Sequence, residues 1–171
     1  MKPTIIFDLD YTIYNPGENT LHPEAHLVLK RAKKDFGRTM LWTFGGTSRM
    51  ISSLLLELGI AHYFDGVIAS DHNLTEISRI RNDRWGCKDL RLFAPGERPV
   101  MIENDDFAVP KHRRILVPDF DGKEHDLRTP YQLAYLAMYH EEEFRGMTPE
   151  QRLAAAEELE RGYVLFRDKE L

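Results

Sequence analysis

The sequence predicts an α/β fold, a doubly wound parallel sheet in three layers, and three observations carry that expectation. Five short apolar runs, Ile5-Ile6-Phe7, Met40-Leu41-Trp42, Val67-Ile68-Ala69, Val100-Met101-Ile102 and Ile115-Leu116-Val117, are bounded by polar, glycine or proline residues and read as buried strands. Helical patterns separate the first three, which is the arrangement of parallel strands joined by crossovers. Asp8, Thr43 and Glu103 each follow a run directly, so three polar residues fall at the carboxyl ends of strands, where such sheets bind ligands.

Each element has its own local cause. His22-Pro23-Glu24 reads as a helix start with proline in the first turn, and Ala25, Leu29, Ala32 and Phe36 continue it to a stop at Gly37. Thr47 or Ser48 caps a second helix with a buried stripe of Ile51, Leu54, Leu55 and Leu58, closed by Gly59. Thr129-Pro130 opens a third segment to about Phe144, and Thr148-Pro149-Glu150 a last one with Leu153, Ala156, Leu159 and Tyr163 on one face. That final amphipathic helix is expected to complete the core of its own chain, with a second subunit as the alternative partner.

The 171 residues, 42% hydrophobic and 30% charged, suit a single domain over 1–171, with a core over about 1–145 and a helical extension over about 146–171. A net charge of -5 argues against polyanion binding by the whole surface. Cys87 stands alone, which excludes an internal disulfide and a thiolate metal cluster. The apolar run after Met1-Lys2-Pro3-Thr4 is too short for a signal peptide and no stretch reaches membrane-spanning length, so the expected location is cytoplasmic with no membrane partner. His22 and His26 have helical metal-ligand spacing but no third ligand nearby, and read as surface residues.

The densest chemistry lies in Phe7-Asp8-Leu9-Asp10-Tyr11-Thr12. Side chains two apart on a strand point the same way, so Asp8 and Asp10 are expected to share one small volume where the first strand ends. Two anions that close either raise a pKa or recruit a hard cation such as magnesium.

These residues resemble the first motif, Asp-x-Asp-x-Thr, of the haloacid dehalogenase superfamily of phosphohydrolases. Thr43 in Leu41-Trp42-Thr43-Phe44-Gly45 is similar to the second motif, Lys88 to the third, and Glu103-Asn104-Asp105-Asp106 to the fourth. The resemblance covers roughly residues 4 to 140 and is nearest to two subfamilies, the phosphatases of the polymerase carboxyl-terminal domain and the small magnesium-dependent phosphatases. It implies a Rossmann-like core, Mg2+ as cofactor, and phosphomonoester hydrolysis through an aspartyl-phosphate. A phosphotransferase, a nucleic-acid-end phosphatase and a catalytically weak partner-binding module are the alternatives.

The residue types fit that chemistry. Asp8 is the expected nucleophile, and Asp10 the acid that protonates the leaving group and then takes a proton from water. Thr43, with Phe44 and Gly45 in the loop behind it, would hold the phosphoryl group, and Lys88 would offset its charge. The resemblance implies Asp8, the Asp10 backbone carbonyl and Asn104 as metal ligands, with Glu103 or Asp105 in competition and Glu103 also able to orient Lys88.

Neither gap between motifs, Thr12 to Thr43 or Thr43 to Lys88, is long enough for a full cap domain. An open site favours a bulky or accessible phosphorylated substrate, with protein, nucleic-acid end and small molecule all left open, or a wall supplied by a second subunit. Arg79, Arg81, Arg84 and Trp85, with Lys111-His112-Arg113-Arg114, either guide a phosphorylated polymer or form solvated connections.

Overall fold

The computed structural model describes residues 3–71, 88–105, 108–109, 113–122 and 126–167. Arg79, Arg81, Arg84, Trp85, Cys87, Asp106, Lys111 and His112 lie outside the described residues, as does the side chain of Tyr163. In chain order the elements are β1 (Thr4–Phe7), the short strands β2 (Tyr14–Asn15) and β3 (Thr20–Leu21), α1 (Ala25–Asp35), β4 (Arg38–Trp42), α2 (Ser48–Glu57) and β5 (Gly66–Ile68). They continue with β6 (Lys88–Asp89), β7 (Pro99–Glu103), β8 (Ala108–Val109), β9 (Arg114–Leu116), α3 (Arg128–Tyr139), α4 (Glu141–Gly146) and α5 (Pro149–Arg167).

Five strands form one sheet in the order β5-β4-β1-β7-β9, and every pairing is parallel. Ile6 pairs with Met40 on one side and Met101 on the other, so β1 is the central strand. The chain winds outward through β4 and β5, then crosses to begin again at β7. The strand order therefore reverses between β1 and β7, and the carboxyl ends of those two strands frame the natural crevice. β2 and β3 make a small antiparallel hairpin, and β6 pairs with β8.

Alternation along the strands divides the core. Ile5 and Phe7 belong to the larger cluster with Leu41, Val100 and Ile102, covered by Val28, Leu29 and Ala32 of α1, Ile51 and Leu55 of α2, and Tyr131, Ala134 and Met138 of α3. Ile6 faces the other way into a smaller cluster of Met40, Trp42, Met101 and Leu90, with Ile68 and Phe93 against it. Removing each of these large side chains from water contributes about 1.5–3 kcal/mol.

The helix ends follow local chemistry, with four departures from the sequence expectation. The hydroxyl of Thr47 accepts from Met50 N–H to cap α2, and Gly59, at φ 70°, lets the chain turn away from its end. α1 begins only at Ala25, because His22 is buried and its Nδ1 accepts from Glu24 N–H (3.1 Å) in a turn that precedes the helix. His22 is thus a core residue, its ring 4.7 Å from that of Phe120, rather than a surface one. The segment expected to run to Phe144 breaks at His140, which leaves the α region between α3 and α4.

α5 keeps the expected face inward only in part: Ala156 is buried and Leu159 half-buried, whereas Leu153 is 47% exposed. Polar anchors select that face. Glu160 accepts from Arg31 of α1 (2.6 Å) and from Gln132 of α3 (3.0 Å), while Arg152 donates to the Phe144 carbonyl (3.0 Å). Thr148 and Gln151 satisfy each other's backbone N–H at the helix start. Among the described residues, no helix is long and apolar enough to cross a membrane.

Candidate active site

Three backbone hydrogen bonds extend the sheet past its strands and fix the rim of the crevice. Asp8 N–H donates to the Ile102 carbonyl (3.0 Å), Thr43 N–H to the Ile68 carbonyl (2.9 Å) and Val117 N–H to the Glu103 carbonyl (2.9 Å). The residues after β1, β4 and β9 are thereby locked into register at one end of the sheet. Beyond Asp8 the chain turns sharply: the N–H groups of Ile13 and Tyr14 both donate to the Leu9 carbonyl (3.1 Å each).

Within that turn Tyr11 adopts φ 59°, a left-handed conformation that costs a bulky residue on the order of 1 kcal/mol. Its N–H donates to the Tyr14 carbonyl (2.7 Å) and its own carbonyl accepts from Phe120 N–H (2.5 Å). The turn so made folds Thr12 back onto Asp8 and ties the segment after β9 to the site.

Asp8 is buried, with one oxygen on the Lys88 ammonium and the other, Oδ2, 3.1 Å from the Thr12 hydroxyl. Lys88 also donates to Glu103 Oε2 (2.6 Å), and its Nζ lies 5.3 Å from the centre of the Phe44 ring. The side chains of Lys88, Asp8 and Glu103 are only 3%, 6% and 1% exposed, so one cation balances two carboxylates in a water-poor setting. Burial pushes the Asp8 carboxyl up to about 7; the Lys88 charge opposes the rise, and the charges of Glu103 and Asp10 add to it.

Asp10 is half-buried and faces the same site through a different partner: Thr43 donates its hydroxyl proton to Asp10 Oδ2 (3.0 Å). Gly45 N–H donates in turn to Thr43 Oγ1 (2.9 Å), and a Cβ on Gly45 would overlap the Asp10 carboxylate. The room that glycine leaves after Thr43 is therefore filled by Asp10.

The acidic run after β7 separates into distinct roles. Glu103 turns inward to Lys88. Asn104 Oδ1 lies 3.1 Å from Thr12 Oγ1, while its Nδ2 donates to Asp119 Oδ1 (2.9 Å). Asp105 is exposed, and its backbone N–H donates to Glu103 Oε1 (3.2 Å). Of the residues singled out in the sequence, Asp8, Asp10, Thr43, Phe44, Gly45, Lys88, Glu103 and Asn104 come together at this rim; the Asp105 side chain stays outside the network.

Two participants carried little signal. The sequence marked Thr12 only as part of a motif, yet its hydroxyl joins Asp8 to Asn104. Asp119 had no mark at all beyond its place just past the last strand.

Among the described residues no three Asp, Glu, His or Cys side chains gather as a metal cluster. The oxygens of Asp8 and Asn104 nevertheless fit a hard divalent cation. Both face the Thr12 hydroxyl, which has a single proton to give, so one of the two acceptors is always left with a free lone pair. Among the described residues, Asp8, Asp10 and Glu103 also outnumber the one ammonium beside them, that of Lys88.

No protein-family model matches the sequence, and no curated protein does. Among solved structures the chain is similar to a variant of the fission yeast RNA polymerase II CTD phosphatase Fcp1 bound to beryllium fluoride, with a TM-score of 0.52 and 13% identity. The match covers 98% of this chain and 56% of that chain, so the protein spans little more than half of the phosphatase's length. An uncharacterized protein from Listeria monocytogenes serotype 4b is similar at a TM-score of 0.42 and 20% identity, over 60% of this chain and 67% of that one. The first likeness shows the architecture alone, an α/β fold with a central parallel sheet flanked by helices.

Proposed function

We propose that the protein is a magnesium-dependent phosphatase that hydrolyses phosphomonoesters through a phosphorylated Asp8. The observation that carries this reading is the pairing of a buried carboxylate, Asp8, with the Lys88 ammonium, beside a second acid, Asp10, that a threonine hydroxyl holds in place. A carboxylate oxygen of Asp8 forms a bond to phosphorus as the ester P–O bond breaks, and Asp10 gives its proton to the departing oxygen. Water then attacks the same phosphorus and passes a proton to Asp10, and the bond to Asp8 breaks to restore both side chains.

Lys88 places positive charge where the phosphoryl oxygens become most negative, in a site too dry to screen it. Thr43 keeps the Asp10 carboxyl aimed, and its own oxygen is steadied by Gly45 N–H. Asp8, Asn104 and the backbone carbonyl of Asp10 would hold a magnesium ion, which supplies further neutralisation of phosphoryl charge. Between Asp10 and α1 stands only the β2–β3 hairpin. That small flap supports an accessible, bulky phosphorylated substrate, and the fold shared with a polymerase-tail phosphatase supports the same class.

Inorganic phosphate is expected to be released from 4-nitrophenyl phosphate when magnesium is present, and release is expected to stop on adding EDTA. Absence of any turnover under these conditions would overturn the proposal.

The raised Asp8 pKa adds a pH signature. Magnesium takes the ionised carboxylate, so below about pH 7 each ion bound must displace a proton. Calorimetric titration is expected to show magnesium affinity falling about tenfold for each pH unit below that point, and levelling off above it. An affinity independent of pH between about 5.5 and 7.5 would take Asp8 out of the ligand set.

A further inference from the structure

We infer that Asp119 is a positioning residue: it decides which end of the Asn104 amide faces the site. The inference rests on the metal reading above. An ionised carboxylate can only accept hydrogen bonds, whereas the two ends of an asparagine amide are chemically opposite. With Asp119 Oδ1 2.9 Å from Asn104 Nδ2, the NH2 group is held outward and Oδ1 is presented to the Thr12 hydroxyl, which Asp8 Oδ2 also faces. The reversed amide would set oxygen against the Asp119 carboxylate and aim two N–H donors, which no cation can use, at the ligand position.

Asp119 owes its own placement to neighbours that do not depend on Asn104. Val117 N–H is bound to the Glu103 carbonyl and Phe120 N–H to the Tyr11 carbonyl. The Phe120 side chain is 2% exposed and packs on the His22 ring. The carboxylate is thus delivered from a segment pinned on both sides. This also gives a use for the left-handed backbone of Tyr11, whose carbonyl receives that second pin.

The probe is Mn2+, read by the loss of its free-ion electron paramagnetic resonance signal, together with the side-chain amide resonances of Asn104 in the metal-free protein. Asp119→Leu is expected to raise the Mn2+ dissociation constant about 10- to 100-fold and to shift the Asn104 amide pair, with Asp119→Ala as the smaller replacement giving the same result. Asp119→Asn, whose own amide can either accept from or donate to Asn104, no longer forces one orientation and is expected to weaken Mn2+ binding, though by less than Asp119→Leu. Unchanged Mn2+ binding in Asp119→Leu and Asp119→Ala would overturn the inference. Weaker Mn2+ binding in Asp119→Leu without any shift of the Asn104 amide pair would overturn it too, by assigning the effect to negative charge rather than to amide orientation. If the parent protein binds no Mn2+, the metal reading falls, and unchanged Asn104 resonances in Asp119→Leu would show separately that Asp119 does not hold the amide.

Discussion

Asp8→Asn is expected to lower the rate of phosphate release on the order of a thousandfold or more, because an amide cannot form the covalent bond to phosphorus and the two-step route is closed. The same variant is expected to be more stable than the parent protein at alkaline pH. Burial raises the folded-state pKa of Asp8 from 3.8 to about 7. A raised carboxyl pKa means that the unfolded chain ionises first, so stability falls as pH climbs from the lower value to the higher and stays reduced above it. Asparagine does not titrate and escapes that loss. Thermal melts should therefore show the variant above the parent protein near pH 8, with the gap closing near pH 4. An inactive variant that also melts lower at pH 8 would mean that the carboxylate stabilises the site, and the attribution of its pKa to burial would be wrong.

Lys88→Met carries the largest expected cost in stability. Lys88 is the shared partner of Asp8 and Glu103, both nearly inaccessible to water. Removing it leaves two buried carboxylates without a counter-charge, a change that costs about 3–5 kcal/mol when a buried pair loses one member. The loss is expected to depend on pH in a definite sense. Without the ammonium the Asp8 carboxyl is pushed further upward, so it is protonated and cheap at low pH but must either ionise or resist ionisation at high pH. Denaturant titration should show a deficit near pH 8 that shrinks toward pH 5, along with loss of activity at either pH. Glu103→Gln, which leaves Lys88 paired with Asp8 alone, should lose less. A Lys88→Met deficit equal at both pH values would show that the lysine contributes packing rather than charge.

The sheet was legible in the sequence for a simple reason. Strands buried on both faces are written as unbroken apolar runs, and all five reappear, with boundaries displaced by a residue or two. Their polar followers Asp8, Thr43 and Glu103 were legible for the same reason, since a strand that ends at a crevice must change from apolar to polar there.

What could not be read was set by contacts between distant residues. The stripe Ala25, Leu29, Ala32 and Phe36 is buried as its spacing implied, but the start of α1 was placed early because Pro23 mimics a first-turn proline, whereas the buried ring of His22 satisfies Glu24 N–H and delays the helix. Leu153 was assigned inward with Ala156 by spacing, yet charge pairing of Glu160 with Arg31 and its bond to Gln132 rotate α5 so that Ala156 stays buried while Leu153 is exposed. Hydrophobic periodicity carries no information about such polar anchors. Asp119 was invisible because its meaning comes from the asparagine it touches, and nothing in its own neighbourhood of the chain announces that contact.

Because β1 is flanked by β7, the groups of the proposed mechanism are contributed by opposite halves of the polypeptide: 80 residues separate Asp8 from Lys88, and 92 separate Thr12 from Asn104. A nascent chain emerging amino end first would thus carry its nucleophile long before the lysine and asparagine that complete it exist. On the proposed mechanism turnover would begin only once β1 and β7 have paired, so a half-made copy would be silent.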